Sequence, residues 1–154
     1  MRTLLVTILL SITPISEVRG AIPYALSQGI PMPWAVLIPF FANASVVPIL
    51  YLTVRPFFAF SRNKLKKAGR WVDNFEKRAV RKFRKYRKLA LFGLFLFVAI
   101  PLPGTGIYTG VVAGVVAQIP ARKGIVSIIL GTATASIITY LVSTGIIHFL
   151  DFAF

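Results

Sequence analysis

Glu17 and Arg19 are the two side chains of this sequence best equipped for chemistry. They lie in the stretch Thr13-Pro14-Ile15-Ser16-Glu17-Val18-Arg19-Gly20-Ala21-Ile22-Pro23, which follows the apolar run Thr3–Leu10. A charge at bilayer depth costs about 2.5–3.5 kcal/mol on insertion scales, so an ionisable residue there is a functional candidate by default. Glu17 could bind a cation, carry a proton or pair with Arg19. Its structural alternative is to favour the positive end of its own half-helix, although Ser16 already offers a cap there. The planar fork of Arg19 suits phosphate oxygens. A second break, Pro101-Leu102-Pro103-Gly104-Thr105-Gly106, interrupts the apolar stretch that starts at Leu89. Backbone N–H groups at a half-helix N-terminus after Gly106 would make an anion site. The candidate substrate-binding or coupling residues are therefore Glu17, Arg19, Pro103, Gly104, Thr105 and Gly106, with Asn43 as a further one. The alternatives are a plain kink for the second break and an interhelical hydrogen bond for Asn43.

Other chemistries have little to work with. The chain has no cysteine, one histidine and four acidic residues, so thiolate sites and carboxylate-rich metal sites are excluded or starved. No hydrolase triad or metal cluster is visible, and the expectation is a protein without enzymatic activity, metal or cofactor. His148 and Asp151 sit at the edge of an apolar run and receive no role.

The elements that must position these residues are apolar helices. The composition is 56% hydrophobic and 14% charged, against about 45–50% and about 25% for ordinary soluble chains. Met32–Val54 and Gly124–Leu150 are each long enough to cross about 30 Å of hydrocarbon. Arms of about 10–14 residues on either side of each break suit re-entrant segments better than full spans. Paired broken segments in corresponding positions of two halves point to a binding site. Met1-Arg2 followed by Thr3–Ile12 has some features of a signal peptide, but no A-x-A site follows, and it is read as part of the fold.

The expected architecture is an all-α integral membrane protein of two inverted-repeat halves in one domain, 1–154. Residues 1–29 form a re-entrant hairpin, 32–54 a transmembrane helix, 55–88 a basic linker, 89–118 the second hairpin and 124–150 the second transmembrane helix. The linker holds 14 of the 18 Lys and Arg residues, which places it in the cytoplasm. Leu65, Ala68, Val72, Phe75, Ala79, Phe83, Tyr86 and Ala90 recur at helical spacing, so it reads as an amphipathic helix on anionic lipid. Trp71 and Tyr86 suit an interface. Membrane tethering explains the charge without nucleic acid.

Gly106, Gly110 and Gly114 leave one helix face bare, as do Ser127, Gly131, Ala135, Thr139 and Ser143 in the last span. Such faces allow close helix packing. Thr132, Ser136, Tyr140 and Thr144 form a polar stripe that could line a wet path.

Glu17-Val18-Arg19-Gly20-Ala21-Ile22-Pro23 resembles the E-x-R-G-A-I-P stretch of the small multidrug export protein family. Asn43–Pro48 resembles its N-x-x-x-x-P region, and Pro101–Gly106 its P-L-P-G-T-G signature. Val18 stands where Leu is expected, and Ile107-Tyr108 where Ala-Trp is expected. That family is thought to be distantly related to the DedA, or SNARE-associated Golgi (VTT), membrane proteins. The resemblance implies two facing re-entrant hairpins and a role in moving lipid phosphate carriers or phospholipids. The Arg that DedA proteins carry in the second hairpin is missing, since no basic residue lies between Leu89 and Ala121; Arg19 is the substitute. The expected function is a transporter or flippase for an anionic lipid such as a polyprenyl phosphate, coupled to a proton or cation and built as a homodimer. The rivals are efflux of cationic amphiphiles and a non-transport scaffold that gathers anionic lipid.

Overall fold

The computed structural model of the chain describes residues 1–65, 87–102 and 104–153, and describes side chains outside 58–87 and 146–153. Most of the basic linker, including Trp71 and Tyr86, lies outside the described residues, as does Pro103. The described residues form six helices in the order α1 (Arg2–Ile12), α2 (Glu17–Ser27), α3 (Trp34–Leu65), α4 (Arg87–Ala99), α5 (Ile107–Val116) and α6 (Ala121–Ala153), with no strand among them.

Local sequence sets the boundaries. Pro14 disfavours helical backbone at the residue before it, and Thr13 is extended, at φ −72° and ψ 138°. Ile100 stands before Pro101 just beyond the end of α4. The second arms both end in a left-handed residue followed by an Ile-Pro pair. In the first, Gly29 has φ 74°, its N–H donates to Leu26 O, and the Ile30 N–H reaches Ala25 O at 3.0 Å. In the second, Gln118 has φ 54°, its N–H donates to Val115 O, and the Ile119 N–H reaches Gly114 O at 2.9 Å. This double hydrogen bond is the Schellman ending. Pro31 and Pro120 then stand before the long helices α3 and α6.

Trp34–Phe57 and Ala121–Gly145 are long and apolar enough to cross a membrane. They are only 28% and 39% buried inside the protein, whereas the core helix of a soluble domain would be mostly covered. Large side chains such as Phe41, Leu52, Ile137 and Leu141 face outward. The expected span 32–54 continues as helix to Leu65, into the start of the basic linker, and the expected span 124–150 begins three residues earlier. The prolines at 39, 48 and 56 do not end α3.

Each packing contact in one half has its counterpart in the other. α1 lies on α2 and α3 as α4 lies on α5 and α6. α2 crosses to α6, α5 crosses to α3, and α3 meets α6. One core cluster, including Val47, Tyr51, Val98, Val111 and Ile128, joins α5 to α3, α4 and α6. A smaller one, Val18, Ile22 and Ala135, joins α2 to α6.

The bare helix faces are packing seams. On α6, a β-carbon at Gly131 would come within 2.8 Å of the Phe95 carbonyl, and Ser127 donates to Leu91 O at 2.7 Å. The inner half of the polar stripe is packed away. Thr132 and Ser136 are fully buried and donate to Ile128 O at 3.0 Å and Thr132 O at 2.8 Å, and Thr144 donates to Tyr140 O. Ser and Thr in apolar helices commonly turn their hydroxyls back to their own carbonyls in this way.

Candidate functional site

The two breaks face each other across a cleft of about 500 Å³, lined by Pro14, Ile15, Ser16, Glu17, Arg19 and Gly20 on one side and Pro101, Gly104, Gly106, Tyr108 and Thr109 on the other. Of the sequence-derived candidates, Glu17, Arg19, Gly104 and Gly106 line this cleft. Thr105 joins them through a hydrogen bond to Arg19, and Pro103 lies outside the described residues.

Glu17 does not cap its own helix. It is the first residue of α2, is 5% exposed, and holds a left-handed backbone at φ 50°. A non-glycine residue pays conformational strain there, and such strain persists only where the surroundings enforce it. The carboxylate accepts the backbone N–H groups of Ile107 and Tyr108 in the first turn of α5. These are two of the four donors a helix N-terminus leaves unpaired, and the helix dipole favours negative charge at that end. Ser16, the residue before α2, makes no side-chain cap. The start of α5, where the sequence reading expects an anion site, is where the Glu17 carboxylate lies.

Arg19 does the opposite job at the other end of the same break. Its guanidinium donates to Leu102 O, to Ile100 O at 3.3 Å and to the Thr105 hydroxyl at 2.9 Å. The Thr105 hydroxyl in turn reaches Ile100 O at 2.8 Å and Leu102 O at 2.9 Å. One cation thus serves the carbonyls left exposed beyond the end of α4. Glu17 and Arg19 feel each other's charge, but the hydrogen bonds of both go to the second break. The Nε of Arg19 is buried without a partner.

Asn43 stands apart. It is fully buried on α3, and its amide donates to Ser11 O at 2.8 Å near the end of α1. It does not line the cleft. Its amide makes the interhelical hydrogen bond that the sequence reading offered as the alternative, and satisfies a helix-end carbonyl.

Three residues escaped the sequence reading. Tyr108 lines the cleft and donates its hydroxyl to Ile12 O, at the end of α1. Thr109 donates to Gly104 O at 2.8 Å and Gly106 O at 3.2 Å, which stiffens the second break. Tyr51 is 1% exposed and lies against Gly114 and Gly124, where either β-carbon would meet its hydroxyl. The one signal for Tyr108 was spacing: it follows Gly106 by two residues, as Arg19 follows Glu17.

No group of three His, Asp or Glu side chains among the described residues could hold a metal ion. The arrangement holds one charged group at each end of a broken helix.

Among the described residues the protein is all-helical, with two helices apolar and long enough to cross a membrane and a charged cleft between two helix breaks, the features of a membrane protein. Residues 17–138 match the family described as "Putative small multi-drug export protein", and the chain belongs to that family. No curated protein and no solved structure matches it. The match begins at Glu17, so it takes in Glu17, Arg19 and the second break, while Pro14, Ile15 and Ser16 of the first break lie before it.

Proposed function

We propose that this protein moves an anionic amphiphile, such as a polyprenyl phosphate, across the cell membrane through the cleft between the two breaks, with a proton or cation coupled at Glu17. The observation that carries this reading is the Glu17 carboxylate seated on the Ile107 and Tyr108 N–H groups, with the Arg19 guanidinium in the same cleft. A phosphate makes the same demands as that carboxylate: backbone N–H donors at a helix N-terminus and a planar cation. When Glu17 takes up a proton or a cation, its hold on the N–H pair weakens and a head group takes its place.

The remaining architecture follows from the same reading. Both hairpins are re-entrant, the two halves are inverted repeats, and the basic linker lies on the cytoplasmic leaflet against anionic head groups. The protein is multi-pass and works as a homodimer, because so few spanning elements enclose little of a path. The matched contacts of the two halves support the repeat.

Efflux of cationic amphiphiles is the second reading, supported by the family description and by Glu17 as a possible counter-ion. Arg19 in the same cleft opposes it. The test is flipping of a fluorescent polyprenyl phosphate in proteoliposomes by wild type, Glu17→Gln and Arg19→Ala. Wild-type activity lost in both variants supports the anionic-lipid reading. An inactive wild type that lowers accumulation of a cationic dye supports the second.

A further inference from the structure

Helix ends leave four carbonyls without intrahelical partners, and in α1 every one of them can be traced. Leu9 O accepts the Thr13 N–H at 3.1 Å, and Leu10 O accepts the Thr13 hydroxyl at 2.9 Å. Ser11 O takes the Asn43 amide at 2.8 Å, and Ile12 O takes the Tyr108 hydroxyl. Only the last of these donors comes from the other hairpin. It mirrors Arg19, which reaches from α2 to the carbonyls beyond α4, just as Tyr108 reaches from α5 to the end of α1. The two residues also hold corresponding places, since Glu17 relates to Gly106, and Pro31 to Pro120, by the separation that relates Arg19 to Tyr108.

We propose that Tyr108 is a positioning residue of the cleft and the counterpart of Arg19, the two acting as opposed latches that hold the hairpin tips together. This rests on reading the cleft as the transport site. Tyr108 is tied to the first hairpin twice, by its hydroxyl to Ile12 O and by its backbone N–H to Glu17. The hydroxyl bond is the one that a side-chain rotation alone releases. Because the latches run in opposite directions, the loss of either one leaves the tips held from one side only, and they part. The aromatic body of Tyr108 lines the cleft, so its rotation also changes the shape of the path that a head group meets.

The test uses the full chain in lipid nanodiscs, which has no native cysteine to interfere. Spin labels go on cysteines replacing Ile15 and Leu102, both exposed and one on each break. A control pair replaces Leu52 and Val126, exposed on the two long helices. Wild type gives one narrow distance for the break pair. Tyr108→Phe adds a second, longer population and leaves the control pair unchanged. Arg19→Gln yields the same longer population, and combining the two adds no third. Tyr108→Trp, which keeps a donor N–H, restores the single distance. A Tyr108→Phe distribution that overlays wild type overturns the proposal, as does a shift of the control pair together with the break pair. A longer population persisting in Tyr108→Trp overturns it too, and that variant decides the matter if the Phe variant does not assemble. The distances are read without substrate, so a failure here is distinct from a failure to flip polyprenyl phosphate.

Discussion

The carboxylate of Glu17 occupies the space that a β-carbon on Gly106 would fill. Gly106 has an extended backbone, at φ −81° and ψ −165°, that any residue adopts. Its lack of a side chain is therefore needed for the carboxylate and not for the fold of the turn. Gly104 is the reverse case, at φ 85° with nothing within 4 Å of a β-carbon.

Gly106→Ala should push Glu17 off the start of α5. The expected cost is about 1–3 kcal/mol of stability, the usual range for overpacking, together with loss of transport. Gly106→Ala combined with Glu17→Asp, whose shorter side chain withdraws the carboxylate, should recover part of the stability. Thermal unfolding of the purified variants in detergent checks both.

Arg19→Lys should behave as a loss and not as a conservative change. An ammonium lacks the planar fork that reaches Leu102 O, Ile100 O and Thr105 together. Transport by the variant should fall at least to the level of Arg19→Gln. The comparison is initial flipping rate at matched protein in proteoliposomes.

Asn43→Ala leaves Ser11 O buried without its donor. Such an orphaned group costs about 1–3 kcal/mol. Because Asn43 does not line the cleft, whatever folded protein remains should keep its substrate affinity. A drop in melting temperature with unchanged affinity is the expected pair of results.

Tyr51→Phe removes a buried hydroxyl with no partner, so stability should stay level or rise by up to about 1 kcal/mol. Gly114→Ala and Gly124→Ala should each destabilise, since their β-carbons meet the Tyr51 hydroxyl. Both losses should shrink in the Tyr51→Phe background. A double-mutant cycle on unfolding midpoints measures that coupling.

Much of the frame is visible in residue types. Pro14, Pro101 and the Gly104–Gly106 turn mark the breaks, and the apolar runs mark α3 and α6. Glu17, Arg19 and the second break could be grouped because charges and freed backbone both need a shared polar setting in lipid. The partners could not be read, because a hydrogen bond from Arg19 to Ile100 is set by docking and not by spacing. Thr132 and Ser136 misled for a related reason. Periodicity reports the face a hydroxyl occupies, while its proton can still turn to the carbonyl one turn back. Asn43 was ambiguous because a buried amide serves a helix end as readily as a ligand.

Synthesis of the chain runs against the order in which its parts become complete. Arg19 and Ile12 leave the ribosome early, yet their partners at Leu102 and Tyr108 follow 83 and 96 residues later. Until then Glu17 and Arg19 have only each other, and the end of α1 lacks one donor. The first hairpin is therefore a provisional structure, and a chain stopped within the basic linker has nothing to close it. The site is complete only when the second break docks onto Glu17 and Arg19.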